Sequence, residues 1–164
     1  GARTVFLDAV AQALAALDAM RLAEGAHIVR DFEKRLARLE QQRAQVKEIA
    51  PQIVADYRIH LAEVLAEFKE VTPDETRLVQ EAALYADRVN ITEELVRLAS
   101  HFAQFRAILA EDEPVGRRLD FLLQEINRET NTIGSKANNA AAQQTVVAMK
   151  NEVEKLREQV QNLE

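Results

Sequence analysis

Cysteine is absent from these 164 residues, and glycine and proline are scarce, at four and three. Without cysteine there is no disulfide scaffold, no thiolate zinc site and no cysteine nucleophile, and a reducing compartment is expected. Any metal must then be held by oxygen or imidazole. So little turn material, beside abundant Ala, Leu, Glu, Gln and Arg, argues against a sheet and predicts an all-α fold. It also leaves no glycine-rich phosphate loop. No apolar run reaches the roughly 18 residues of a membrane span, so none is expected. Basic charge is in the minority: 21 Lys and Arg against 27 Asp and Glu give a net charge of -6. That argues against a wholly basic nucleic-acid surface and permits a local one. What is present, 48% hydrophobic and 29% charged residues, is a globular composition at a length that suits one ordinary domain. The opening Gly1-Ala2-Arg3-Thr4 has no signal-peptide pattern, and a cytoplasmic location is expected.

The three prolines fall where the helical period breaks. From about Thr4 to Glu48 the spacing predicts one rod, roughly 65 to 70 Å long, with an apolar stripe at Phe6, Val10, Leu14, Leu17, Ile28, Phe32, Leu36, Leu39 and Val46. Pro51 is expected to end it. A second helix, Gln52 to Val71, carries Ile53, Tyr57, Leu61, Val64, Phe68 and Val71, so residues 1–72 read as a long helical hairpin and 73–164 as a C-terminal helical domain. The shorter arm of such a hairpin leaves the N-terminal half of the rod bare, which calls for another subunit. After Thr72-Pro73-Asp74, a third helical region is expected to run to Ala110, with Thr72 as cap and Pro73 as its opening. A fourth runs from Val115 to Ile133, stopping near Gly134. The last, Asn139 to Leu163, has a heptad-like seam at Val146, Met149, Val153, Leu156, Val160 and Leu163.

Three places depart from what stability alone would select. In the rod, the apolar stripe meets Arg21 and Glu24, followed by Gly25, which reads as a functional site or, more plainly, as a local ion pair three residues apart or a stretch where the rod has no partner. In the third region Asn90, Glu94, Arg97 and His101 share one stripe. A carboxylate, a guanidinium and an imidazole together suit cation binding and proton transfer. Glu94 and His101, however, sit about 10.5 Å apart along the axis, so one ion needs help from another helix. Asn90-Ile91-Thr92-Glu93 also has the form of a capping box, and Glu93 to Arg97 that of an ordinary ion pair. In the fourth helix the core face is Leu119, Leu122, Leu123, Ile126 and Ile133. Asp120, Gln124, Asn127 and Asn131 form one polar stripe, and Arg118, Glu125 and Glu129 another. Such a face suits a polar ligand such as phosphate or sugar, or a buried network that sets helix register. His27 and His60 have no companions that would make a ligand set.

The run Pro114-Val115-Gly116-Arg117-Arg118-Leu119-Asp120-Phe121-Leu122-Leu123-Gln124-Glu125-Ile126-Asn127-Arg128-Glu129-Thr130-Asn131-Thr132-Ile133-Gly134-Ser135-Lys136 closely resembles the signature of the YicC/YloC family. So do Glu93-Glu94-Leu95, Arg97-Leu98, Ser100-His101 and the ending from Arg157 to Glu164, and Met20-Arg21 with Glu24-Gly25 resembles an upstream motif. The resemblance places the chain as the C-terminal half or so of such a protein, whose members begin with a further domain containing β structure. It implies a cytoplasmic bacterial endoribonuclease, dependent on Mn²⁺ or Mg²⁺, assembled as a ring-like homo-oligomer, a hexamer, around RNA. Carried onto this chain, it makes Glu94, His101 and Glu125 the catalytic candidates, and Glu24, Glu94, His101, Glu125 and Glu129 the metal candidates. Arg97, Arg117, Arg118, Asn127, Arg128 and Lys136 become the RNA-binding candidates. Three positions depart from the family pattern: Asn90 and Asn139 replace aspartates and Leu22 a common glutamate. An amide at 90 can cap a helix but brings no negative charge to a cation. The alternative function is a non-enzymatic helical assembly module of a stress-related, RNA-associated protein.

Overall fold

The computed structural model describes residues 1–67, 74–111 and 113–163, and all of its regular structure is helical. The elements are α1 (Ala2–Glu67), α2 (Glu75–Arg88), α3 (Thr92–Leu109), α4 (Gly116–Lys136) and α5 (Ala140–Val160). The all-α expectation holds. Helix α1 packs on α3 and α5, and α4 packs on the same two, so the middle of α1 closes a four-helix ring; α2 lies against α1. The core runs through all four walls, with Phe32, Leu36, Leu39, Val46 and Ile53 from α1 meeting Leu98, Phe102 and Phe105, Leu119 and Ile126, and Met149 and Leu156. Phe32 and Phe105 meet edge to face, with centroids 5.6 Å apart. One core therefore crosses the expected boundary at 72/73.

The predicted hairpin is not formed: α1 continues through Pro51. Proline removes one helical hydrogen bond and costs about 3 kcal/mol in a helix interior. Packing outweighs that cost here, because Val46 and Ile53, seven residues apart and on either side of Pro51, are both buried on one face. One turn further on, Tyr57 stacks on Tyr85 of α2, with centroids 3.6 Å apart. Phe68, Val71, Thr72 and Pro73 lie outside the described residues; α2 is capped instead by Asp74, whose carboxylate accepts from the Thr76 N–H.

The third helical region is two helices rather than one. Val89 and Ile91 are buried at the corner, and between them the Asn90 side chain accepts from the Thr92 N–H. A local side-chain bond of this kind competes with helix continuation. Helix α4 passes Gly134 and ends at Lys136, because Gly134 serves a close approach and not a stop. A Cβ there would meet Val146 Cγ1 of α5 at 3.0 Å. The Gln143 amide donates to the carbonyls of Gly134 and Ala137, completing the end of α4, and Asn139 caps α5 by accepting from the Ala141 and Ala142 N–H groups. The seam of α5 is buried from Val146 to Val160.

Charged clamps secure α1 to the ring. Glu152 of α5, nearly buried, receives Arg35 Nη1 at 3.0 Å and Arg38 Nη1 at 3.3 Å. Arg106 of α3 forks onto Glu40 at 2.6 and 3.2 Å and reaches Glu33 at 3.0 Å. Before Gly25, by contrast, every residue of α1 is exposed, including Phe6, Val10, Leu14 and Leu17. Arg21 and Glu24 thus interrupt a stripe that nothing among the described residues covers. Among the described residues no helix is long and apolar enough to cross a membrane.

The two helix-interior glycines should respond oppositely to substitution. Gly25 has nothing within 4 Å of a built Cβ, so Gly25→Ala should favour the helix by about 1 kcal/mol, read as raised helicity by circular dichroism. Gly134→Leu should destabilise by about 1–3 kcal/mol through overpacking against Val146, read by urea unfolding.

Candidate metal and RNA site

The interface of α3 and α4 carries the polar groups singled out in the sequence. Spacings of three and four put Glu94, Arg97 and His101 on the flank of α3 that faces α4, and a spacing of four puts Glu125 and Glu129 on the flank of α4 that faces back. One ligand atom each from His101, Glu125 and Glu129 lie within 4.8 Å of one another. Both imidazole nitrogens of His101 are buried and have no hydrogen-bond partner, an arrangement that asks for an explanation.

Glu129 is buried to 5% exposure and is held by Arg97, with Nε at 2.8 Å from Oε1 and Nη2 at 2.9 Å from Oε2. That fork is the strong, orientation-fixing form of an ion pair. Arg97 also pairs with Glu93 and lies 3.6 Å from Glu94. Glu94, at 2% exposure, accepts from Lys136 Nζ at 2.7 Å, and the same ammonium donates to the Asn90 carbonyl at 3.1 Å. Burial pushes the Glu94 carboxyl up. The hydrogen bonds from Lys136 and its own backbone amide, with the charges of Lys136 and Arg97, outweigh that and hold it below the ordinary 4.5. It is therefore an anion at neutral pH. Lys136, Glu94, Arg97 and Glu129 form a charge-alternating row that ends beside His101.

The structure thus gathers His101, Glu125 and Glu129 from the five metal candidates. Glu94 is one link removed, behind Arg97, and Glu24 is exposed on the bare arm of α1, outside the cluster. Asn90 takes no part in the cluster; its side chain is engaged at the α3 cap. Of the six RNA-binding candidates, Arg97 and Lys136 are committed to the row, and Arg118 pairs with Glu111. Arg117, Asn127 and Arg128 are exposed, Arg128 with only a 3.9 Å approach to Glu125. A further group was not singled out in the sequence: Phe121, 61% exposed, stands on α4 four residues after Arg117, four before Glu125 and seven before Arg128. Its signal was available, since Phe121 falls off the core face of α4 that Leu119, Leu122 and Leu123 define.

This geometry belongs to a sequence with clear relatives. Residues 46–164 match the model of the family described as endoribonuclease YicC-like, C-terminal, and the chain belongs to that family. It is 42% identical over 161 residues to a probable endoribonuclease YicC of Clostridioides difficile (strain 630), covering 96% of this chain and 54% of that protein. To a probable endoribonuclease YicC of Haemophilus influenzae (strain ATCC 51907 / DSM 11121 / KW20 / Rd) it is 37% identical over 166 residues, covering 96% and 58%. The chain spans a little over half the length of these relatives.

A carboxyl held below its ordinary pKa contributes stability that is complete above the unfolded value of about 4.5 and is lost as pH falls through the lower folded value. Glu94→Gln should therefore cost about 1–3 kcal/mol at neutral pH and flatten the loss of stability below pH 4.5. Urea titrations at a series of pH values check both effects.

Proposed function

We propose that the chain is the cation-binding and RNA-contacting portion of a divalent-metal-dependent endoribonuclease that cuts single-stranded or loop RNA. The observation that carries this reading is the meeting of His101, Glu125 and Glu129, with both nitrogens of the imidazole buried and unpartnered. One nitrogen and two carboxylates fit a divalent cation, and the mixed donor set suits Mn²⁺ better than Mg²⁺, which prefers oxygen alone. When bound, such a cation polarises a phosphodiester and lowers the pKa of water.

The chain's own residues supply the rest. Arg97 orients the Glu129 carboxylate through a hydrogen bond from Nη2 and a close approach of Nε, and offsets its burial. Glu125, half-buried one turn earlier on α4, completes the acidic side. Glu94 acts as an electrostatic brace for Arg97, since an anion held by Lys136 is poorly suited to donate a proton. Arg117 and Arg128 meet phosphates, Phe121 between them offers a face on which an unstacked base can rest, and Asn127 offers an amide to sugar or base. Single-stranded RNA exposes the bases such a platform needs. An RNA substrate and a chain without cysteine both suit a reducing cytoplasm.

Titration with Mn²⁺, followed by electron paramagnetic resonance, tests the reading on this chain. Wild type should bind the ion saturably. Glu125→Gln and His101→Ala should weaken binding by more than about 100-fold, and Arg97→Gln, which acts on a ligand and not on the ion, by about 10–100-fold. Cleavage of a labelled stem-loop RNA should follow the same order. Mn²⁺ affinity or cleavage that survives both Glu125→Gln and His101→Ala removes the proposed centre.

One observation favours the assembly role as well: the bare stripe at Phe6, Val10, Leu14 and Leu17. An exposed apolar row of this length marks a contact surface, and in this reading it is covered in a homo-oligomer, six copies in the ring that the family resemblance implies. Light scattering should return a multiple of the chain mass, and Leu14→Glu should lower it. A well-behaved monomer would overturn the assembly.

A further inference from the structure

A cavity of about 410 Å³ lies between the middle of α1 and the corner where α2 meets α3. It stands apart from the His101 cluster. Its α3 wall is Thr92, Leu95 and Val96, which point away from the flank carrying Glu94, Arg97 and His101. Its α1 wall is Arg43, Lys47, Pro51 and Val54, a single stripe at steps of four, four and three, roughly 16 Å long at 1.5 Å per residue. One end of that stripe is cationic and the other apolar.

Three features of this wall point to a ligand. First, neither Arg43 nor Lys47 enters an ion pair among the described residues, in a chain of net charge -6 where most arginines of the ring are paired. Second, Arg43 is anchored by Nη1 on the Leu95 carbonyl at 3.2 Å, while its Nε is buried without a partner. Third, Pro51 has no N–H, so the carbonyl of Lys47 lacks its helical donor. A proline that costs about 3 kcal/mol in a helix interior thus stands in the wall of the cavity, and the acceptor it frees belongs to another residue of that wall. On the opposite side Val89 and Ile91 are buried and apolar, and Asn90 and Thr92 are exposed polar groups beside them.

We propose that this cavity binds one nucleotide. Its phosphate lies against Arg43 and Lys47, its base lies between Pro51 and Val54 on one side and Val89 on the other, and an N–H of the base donates to the Lys47 carbonyl. Other anions satisfy only part of the wall. Inorganic phosphate leaves the apolar walls bare, and a fatty acid has no donor for the carbonyl. The nucleotide is either a free mononucleotide or one unit of an RNA strand, and the chemistry is shared. Binding here does not require the cleavage reading.

The test is calorimetric titration of the chain, without metal and so independent of the His101 cluster. The probes are the four ribonucleoside 5′-monophosphates, inorganic phosphate, octanoate and a single-stranded hexaribonucleotide. Saturable nucleotide binding is expected. Loss of one charge-assisted contact in Lys47→Gln should weaken it about tenfold, and Ala86→Leu, at a residue of α2 that lines the cavity, should abolish it by filling the space. Inorganic phosphate and octanoate should each bind at least about tenfold more weakly. Sensitivity of the hexanucleotide alone to both substitutions assigns the site to an RNA strand; sensitivity of the mononucleotides assigns it to a free nucleotide. Absence of saturable binding by either, binding indifferent to Lys47→Gln, or equal binding of phosphate or octanoate overturns the proposal. Lys47 is exposed, so Lys47→Gln keeps the test decisive even if Ala86→Leu does not fold.

Discussion

Glu129 is a carboxylate that folding has withdrawn from water, and the two-point ion pair with Arg97 makes its burial tolerable. An unpaired buried charge costs several kcal/mol, so the partner cannot be left to chance. The same requirement propagates. Arg97 stands beside Glu94, Glu94 is buried and needs Lys136, and Lys136 anchors on the Asn90 carbonyl at the start of α3. The row fixes how α3 and α4 are rotated against each other, and the rotation in turn brings His101 to Glu125 and Glu129. Stability and the candidate chemistry thus rest on one alternation of charge.

Helix α1 does a different job at each stage of its length. Its middle is the fourth wall of the ring, held by the core stripe from Phe32 to Ile53 and by the Glu152 and Arg106 clamps. Further along, passage through Pro51 leaves Arg43, Lys47 and Val54 on one continuous wall beside the α2–α3 corner. Its first two dozen residues are exposed and pack on nothing among the described residues.

The polar row also divides the cations by use. Arg97 and Lys136 hold carboxylates in place, and Arg118 is tied to Glu111. Arg117 and Arg128, flanking Phe121, remain on the solvent face of α4. An acidic chain can still present a small basic and aromatic surface, because net charge does not fix how charges are distributed over the faces of a protein.

Much could be read from residue spacing: the helical content, the core face of α4, the seam of α5 and the stripe of polar groups on α3 follow from a 3.6-residue period, which is a property of each segment alone. The same period showed that Glu94 and His101 stand too far apart on one helix to share an ion. The helix limits were less secure. Pro51 and Gly134 were read by local preference as stops, and packing of Val46 with Ile53 and of Gly134 against Val146 carried both helices onward. Which carboxylates meet His101, and which arginines are already spoken for, could not be read in this way. Those pairings join residues on different helices, 32 positions apart for Arg97 and Glu129 and 117 for Arg35 and Glu152, and only the packing of the helices against one another, set by burial and charge together, decides them.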